Sequence, residues 1–158
     1  MDANSPPIRA ERGIMLLEAL IAILIFSLGI LALIALQATS VQITSDAKYR
    51  TDATLLANRL IGQMWTSNDS LATLQTDFQT GGTAYNAWLA DVSKRDGGLP
   101  GVVAASAGVN STLPTVTVDT TPGATAGQVT ITLFWRTPDM PANKDGHRHV
   151  VVTQIVRN

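Results

Sequence analysis

The chain has 158 residues, a formal net charge of −1 and no cysteine. This length allows one domain of ordinary size together with an extension. The lack of cysteine excludes disulfides, thiol catalysis and cysteine-based metal sites. The small net charge provides no strong field for nucleic acid or anionic membranes. Hydrophobic residues make up 46 % of the chain and charged residues only 15 %, and much of the hydrophobic content falls in one early block.

That block is an apolar run from Ile14 to Leu36. Its length of about 23 residues is enough to cross a bilayer core of roughly 30 Å as a helix. Arg9 and Arg12 precede the run and favour a cytoplasmic N-terminus. A secretory signal peptide has a shorter apolar core, of about 7–15 residues, and its cleavage site follows that core. The sequence therefore predicts a transmembrane helix over residues 14–36.

Glu18 is the charged residue inside this run. An ionisable side chain within a membrane helix costs about 2.5–3.5 kcal/mol on insertion scales. Two interpretations follow from the helix alone: the carboxylate reaches back to the membrane edge, or it faces a partner.

The residues from Gly13 to Glu18, GIMLLE, resemble the type IV prepilin cleavage signature of a glycine, a hydrophobic residue and a glutamate fifth after the cut. The resemblance implies that a prepilin peptidase removes residues 1–13 on the cytoplasmic side and that the new terminus at Ile14 is N-methylated. It also implies that Glu18 is an assembly residue, which pairs with the terminal amine of a neighbouring subunit. Ile14 and Met15 stand where the signature most often has phenylalanine and threonine.

Residues 37–66 are predicted to continue the helix with an amphipathic pattern. Apolar residues recur there at spacings of three and four, with charged residues between them. The apolar positions are Ala53, Leu56, Ala57, Leu60, Ile61, Met64 and Trp65. Turn-forming residues at 67–70 are expected to end the helix.

Residues 67–158 are predicted to form a globular domain. Two short helices are expected first, the second ending near Arg95 with Gly97 as its cap. Strands are expected at 115–118, 128–136 and 149–156, with a turn at 121–123 and a polar loop at 137–146. The predicted fold class is α+β: a long N-terminal helix packed on a C-terminal antiparallel sheet of three or four strands, in the ladle shape of pilins.

Two residue groups have the chemistry of metal ligands, but their patterns favour structural roles. His147 and His149 share a strand face, but two imidazoles are fewer ligands than a zinc site uses; an exposed strand start is favoured. Asp139 and Asp145 lack the ligand spacing of a calcium loop, so turns are favoured. No common catalytic motif is present, and the three tryptophans fall at core-compatible positions. The sequence predicts no enzyme activity, no cofactor, no metal and no catalytic residue.

Further segments narrow the resemblance. The stretches at 28–37, 49–65, 87–101 and 129–136 resemble those of PilV-type minor pilins, a group of type IV pilin-like proteins. This resemblance implies a single-pass inner-membrane protein with a periplasmic C-terminal domain. It would help to prime type IV pilus assembly, with indirect roles in twitching motility and adhesion. The implied partners are a prepilin peptidase/methyltransferase, other minor pilins and the major pilin, with no direct nucleic-acid partner and no small-molecule substrate.

Two alternatives remain open. One is a minor pseudopilin of a type II secretion system, which keeps the same architecture. The other is a single-pass, membrane-anchored periplasmic binding protein that never enters a filament, for which Gly13 and Glu18 would be coincidental.

Overall fold

The computed structural model describes residues 9–67, 70–121 and 125–157, with the backbone alone for residues 9–12. Most of the expected leader, residues 1–8, lies outside these ranges, as do Asn68 and Asp69 of the first expected turn and Pro122 and Gly123 of the second. The elements are helices α1 (Arg9–Thr66), α2 (Leu71–Phe78) and α3 (Thr83–Val92), followed by strands β1 (Thr115–Thr120), β2 (Ala126–Trp135) and β3 (His147–Val156). The predicted α+β class is confirmed. The chain divides into two compact units, Met1–Ser45 and Asp46–Asn158.

The first unit consists, in its described part, of the apolar portion of α1. No residue from 13 to 44 is buried or half-buried. The stretch Gly13–Thr66 contains a helix long and apolar enough to cross a membrane, as the sequence predicted. The hydroxyls of Thr39 and Thr44 donate to the carbonyls of Ala35 and Ser40, four residues earlier. These side chains therefore satisfy their hydrogen bonds on their own helix.

The second unit is organised by one hydrophobic core. It combines the final turns of α1 with α2, α3 and the inner face of the sheet. Five of the seven apolar positions predicted for α1 are buried, namely Ala53, Leu56, Ala57, Leu60 and Met64, and Ile61 packs against them. The expectation for Trp65 was wrong, because its side chain is 47 % exposed. Successive residues of a helix point about 100° apart, so Trp65 turns away from the core that Met64 enters.

The sheet is an antiparallel meander in the order β1-β2-β3. Val116 pairs with Ile131, which pairs in turn with Val151. Every second residue of β2 from Gly127 to Trp135 is buried, which confirms the predicted period of two. Strand β3 begins at His147, two residues before the predicted start.

The two short helices were predicted correctly in number and approximate position. Ser70 caps α2, since its hydroxyl accepts from the N–H of Thr73 at 3.2 Å. The predicted end of α3 near Arg95 was wrong: α3 ends at Val92. The N–H of Leu99 donates to the Val92 carbonyl at 2.8 Å, so the chain turns back at this point. Gly97 has a positive φ of 81°, but it serves this turn and does not cap the helix.

The connection between α3 and β1 is fixed by Thr112, whose side chain is fully buried. Its hydroxyl donates to the Gly101 carbonyl and accepts from the N–H of Val103 at 2.9 Å. Its own N–H donates to the Val103 carbonyl at 2.9 Å. One side chain therefore holds the segment around residues 101–103 against the start of the sheet.

Arg136 has a similar role at the end of β2. It is 8 % exposed, and its guanidinium donates to the carbonyls of Asn110 and Lys144, each at 3.1 Å. It thereby joins the loop before β1 to the polar loop before β3.

Candidate functional site

The predicted cleavage and assembly residues lie close together near the start of α1. Gly13, Ile14 and Glu18 are all helical and all exposed. A side chain added at Gly13 would meet no heavy atom within 4 Å, and Ile14 is 66 % exposed. A side chain at Gly13 would therefore have open space around it, and most of the Ile14 side chain is accessible.

Glu18 lies on one face of the helix with apolar neighbours. Ile14, Leu17, Ile21, Ala22 and Ile25 line this face with it. Counted from Ile14, the other residues of the face, Glu18 among them, follow at spacings of three, four, seven, eight and eleven residues, the pattern of one side of a helix. Ile14 is four residues before Glu18, so the two positions lie one turn apart, about 6 Å along the axis. A carboxylate is thus set within an apolar strip, one turn from the predicted new terminus.

The two polar side chains of the 14–36 run, Glu18 and Ser27, differ in whether their hydrogen bonds are made within the helix. The hydroxyl of Ser27 donates to the Ile23 carbonyl at 2.7 Å, so Ser27 can enter an apolar environment without an external partner. Glu18 makes no ion pair with any side chain that the structure describes. A carboxylate has no donor with which to bond its own helix carbonyls. Glu18 is therefore the group in this run that requires a partner from outside the described helix.

The two histidines lie within β3, on its inward face, and contact α1. His147 stacks on Trp135 with ring centroids 5.5 Å apart, and its Nε2 lies 3.8 Å from Asp46. The Nε2 of His149 lies 3.3 Å from the hydroxyl of Thr54. Both side chains are half-buried, so the expectation of a simply exposed strand start was wrong. Each histidine has a contact that positions the strand on the helix.

The two aspartates of the polar loop have partners within the protein. Asp145 accepts from the Asn110 side chain at 2.9 Å. A hydrogen bond from Thr137 holds the pKa of Asp139 below its usual value, with smaller contributions from its own backbone N–H and from His147. Within residues 9–67, 70–121 and 125–157 there is no group of three or more histidine, aspartate or glutamate side chains that can hold a metal ion.

The structure also brings together residues that the sequence did not single out. Lys48, Tyr49 and Asp52 of α1 line a groove with the segment from Ser93 to Val103. No motif or spacing in the sequence links these two parts of the chain, which are more than forty residues apart.

Comparisons with known proteins found no match to this chain. No protein-family model matches the chain. No curated protein matches it either, and neither does any solved structure.

Proposed function

We propose that this chain is a minor pilin: a subunit made as a precursor, anchored by α1 in the inner membrane, and used to prime assembly of a type IV pilus. The observation that supports this most is Glu18, an exposed carboxylate without a described partner on an apolar helix face, following Gly13 and Ile14. The resemblance of these residues to the prepilin cleavage signature suggests a specific partner for the carboxylate, the terminal amine of a neighbouring subunit.

The physical argument begins with the exposed apolar surface. The large side chains from Ile14 to Leu36 are exposed by 42 % or more, and such a surface is stable only in a membrane or against other apolar helices. Glu18 would enter either environment with them. A buried carboxylate needs a paired cation, and removing one partner of a buried pair costs about 3–5 kcal/mol.

Cleavage after Gly13 would supply that cation. The new amine at Ile14 would be positively charged, and in a filament it would meet Glu18 of a neighbouring subunit. Glycine is also a weak helix former, less favourable than alanine by about 1 kcal/mol. The residue before the bond to be cut therefore weakens the helix locally, and a side chain added there would meet no heavy atom within 4 Å.

Substitution of Glu18 tests the assembly role. Glu18→Gln removes the charge and should leave membrane insertion unchanged, while it should strongly reduce the protein in sheared pili, measured by immunoblot against the membrane fraction. Glu18→Asp keeps the charge and should retain partial incorporation. Ser27→Ala is the matched control, since Ser27 bonds only to its own helix. Normal incorporation of Glu18→Gln would refute the assembly role.

Mass spectrometry tests the processing. The protein from cells with an active prepilin peptidase should begin at Ile14 and carry one added methyl group. Gly13→Val should leave the precursor uncut. A mature protein that still begins at Met1 would contradict the proposal.

Deletion of the gene separates the pilus from the secretion pseudopilus. Loss of surface pili with normal exoprotein secretion is expected. Loss of secretion with intact pili would instead assign the chain to a type II secretion system. Retention of both would favour an anchored periplasmic protein that never enters a filament.

A further inference from the structure

The groove beside α3 is a candidate binding site independent of the filament role. It has a volume of about 460 Å³ and lies entirely within the second unit. One wall is formed by Lys48, Tyr49 and Asp52 of α1, and the other by the turn from Ser93 to Val103. This volume falls within the range of about 300–1,000 Å³ found for small-molecule sites.

The turn is shaped to leave the groove open. Gly97 and Gly101 both have positive φ, 81° and 65°, a region that side-chain-bearing residues seldom occupy. A side chain added at Gly97 would meet no heavy atom within 4 Å, so the groove is open at this position. Leu99 is 3 % exposed and anchors the turn in the core. Thr112 fixes the far end of the turn through Gly101 and Val103.

The charges of the groove are unevenly neutralised. Lys94 pairs with Asp91, which also pairs with Arg59 at 3.3 Å. Lys48 and Arg95 form no ion pair with any described residue. Two cations that line the groove thus have their charge available to a ligand, and lysine and arginine are the usual binders of phosphate oxygens.

The groove also carries one acid and one aromatic ring. Asp52 lies one turn from Lys48 and receives no hydrogen bond from a described side chain. Tyr49 is half-buried, with the ammonium of Lys48 5.8 Å from its ring centroid. The ring of Tyr49 therefore already has a cation beside it, whereas the carboxylate of Asp52 can bind an alkylammonium group through its opposite charge. A site for a plain anion has no use for Asp52, because the like charge would repel the ligand.

We propose that this groove binds a phosphoethanolamine zwitterion. Lys48 and Arg95 bind the phosphate, while Asp52 binds the ammonium. The same chemistry is present in the headgroup of phosphatidylethanolamine and in free phosphoethanolamine.

The experiment uses the full chain, labelled with ¹⁵N, in nanodiscs of phosphatidylcholine. Phosphoethanolamine, inorganic phosphate and ethanolamine are titrated separately while the amide signals of residues 93–103 are followed. Phosphoethanolamine should shift these signals saturably and bind more tightly than inorganic phosphate or ethanolamine alone. A second set of nanodiscs containing phosphatidylethanolamine identifies the source: shifts without added ligand assign the lipid headgroup, and shifts with the soluble compound alone assign the free zwitterion.

Variants test the role of each charge. Asp52→Asn should weaken phosphoethanolamine binding by about tenfold, as expected for loss of one charge-assisted contact, and should not weaken binding of inorganic phosphate. Lys48→Gln and Arg95→Gln should each weaken both ligands. Lys144→Gln, an exposed lysine outside the groove, should change neither. The proposal would be overturned if phosphate and phosphoethanolamine bound with equal affinity, or if no saturable shift appeared. It would also be overturned if Asp52→Asn bound phosphoethanolamine as tightly as the unsubstituted protein.

Discussion

Replacing Thr112 by valine tests whether one buried hydroxyl holds the segment that forms the groove. Valine has nearly the same shape as threonine, so the substitution removes the hydroxyl without opening a cavity. The change deletes the donor to the Gly101 carbonyl and the acceptor for the Val103 N–H. It leaves the backbone bond from the Thr112 N–H to the Val103 carbonyl intact.

The size of the effect follows from these two hydrogen bonds. Each intramolecular bond contributes about 0.5–1.5 kcal/mol net, and a buried group left without a partner costs more. Both bonds are partly buried, so water replaces them incompletely. We expect Thr112→Val to lower the free energy of unfolding of the second unit by about 2–3 kcal/mol.

Urea unfolding of the full chain in detergent, followed by tryptophan fluorescence, measures this change. Thr117→Val is the matched control, because Thr117 is an exposed residue of β1 and surface substitutions usually stay within about 0.5 kcal/mol. Thr112→Ser keeps the hydroxyl and should lose less stability than Thr112→Val. If Thr112→Val and Thr117→Val unfold at the same urea concentration, the hydroxyl does not hold this segment.

Three further substitutions probe other contacts. The buried Tyr85 donates to the Pro114 carbonyl at 2.7 Å, and Tyr85→Phe should lower stability by about 1 kcal/mol. Burial also raises the pKa of Tyr85 above 10.0, so the stability contributed by its neutral form is present below pH 10 and is lost as the pH rises through the raised value; a phenolate absorbance titration follows this step. The hydrogen bond and charge of Lys94, followed by the charge of Arg59, lower the pKa of Asp91 below 3.8. This contribution is present above pH 3.8 and is lost as the pH falls through the lowered value, and Lys94→Gln should move the NMR-detected midpoint of Asp91 back towards 3.8. Arg136→Met should speed hydrogen exchange in the loops at 106–113 and 137–146, because two carbonyl contacts are lost.

Each of these has a result that would contradict it. A loss of stability at high pH that is as large in Tyr85→Phe as in the unsubstituted protein would show that Tyr85 does not cause it. An Asp91 midpoint that does not respond to Lys94→Gln would show that the ion pair does not form in solution. If Arg136→Met exchanges in both loops at the rates of the unsubstituted protein, Arg136 does not link the two loops.

Local sequence patterns predicted most of the secondary structure. The period of two in β2 was enough to identify its buried face, from Val129 to Trp135. The spacing of three and four residues identified the inward side of α1 from Ala53 to Met64. These patterns are reliable because each side chain's direction follows from the geometry of its own element. Trp65 was misplaced because a tryptophan at the margin of the apolar strip fits the pattern whether or not the core extends to it.

The end of α3 was misplaced for a related reason. Helical periodicity continues towards Arg95, but the hydrogen bond from Leu99 to the Val92 carbonyl turns the chain back earlier. That bond depends on Leu99 entering the core, which is a tertiary contact. The contacts of the two histidines with α1 were missed because their partners, Asp46 and Thr54, are about a hundred residues away in the chain.

The sequence by itself determined the apolar helix, the position of Glu18 within it and the order of helices and strands, because each depends on neighbouring residues. Only the tertiary structure decided which side chains meet across the second unit. The groove of Lys48, Asp52 and Arg95 exists because a turn after α3 folds back beside α1, and the Thr112 hydroxyl that fixes this turn bonds to backbone groups some ten residues away. Contacts of this kind depend on how the helices and strands pack together, and the local pattern of residues does not predict them.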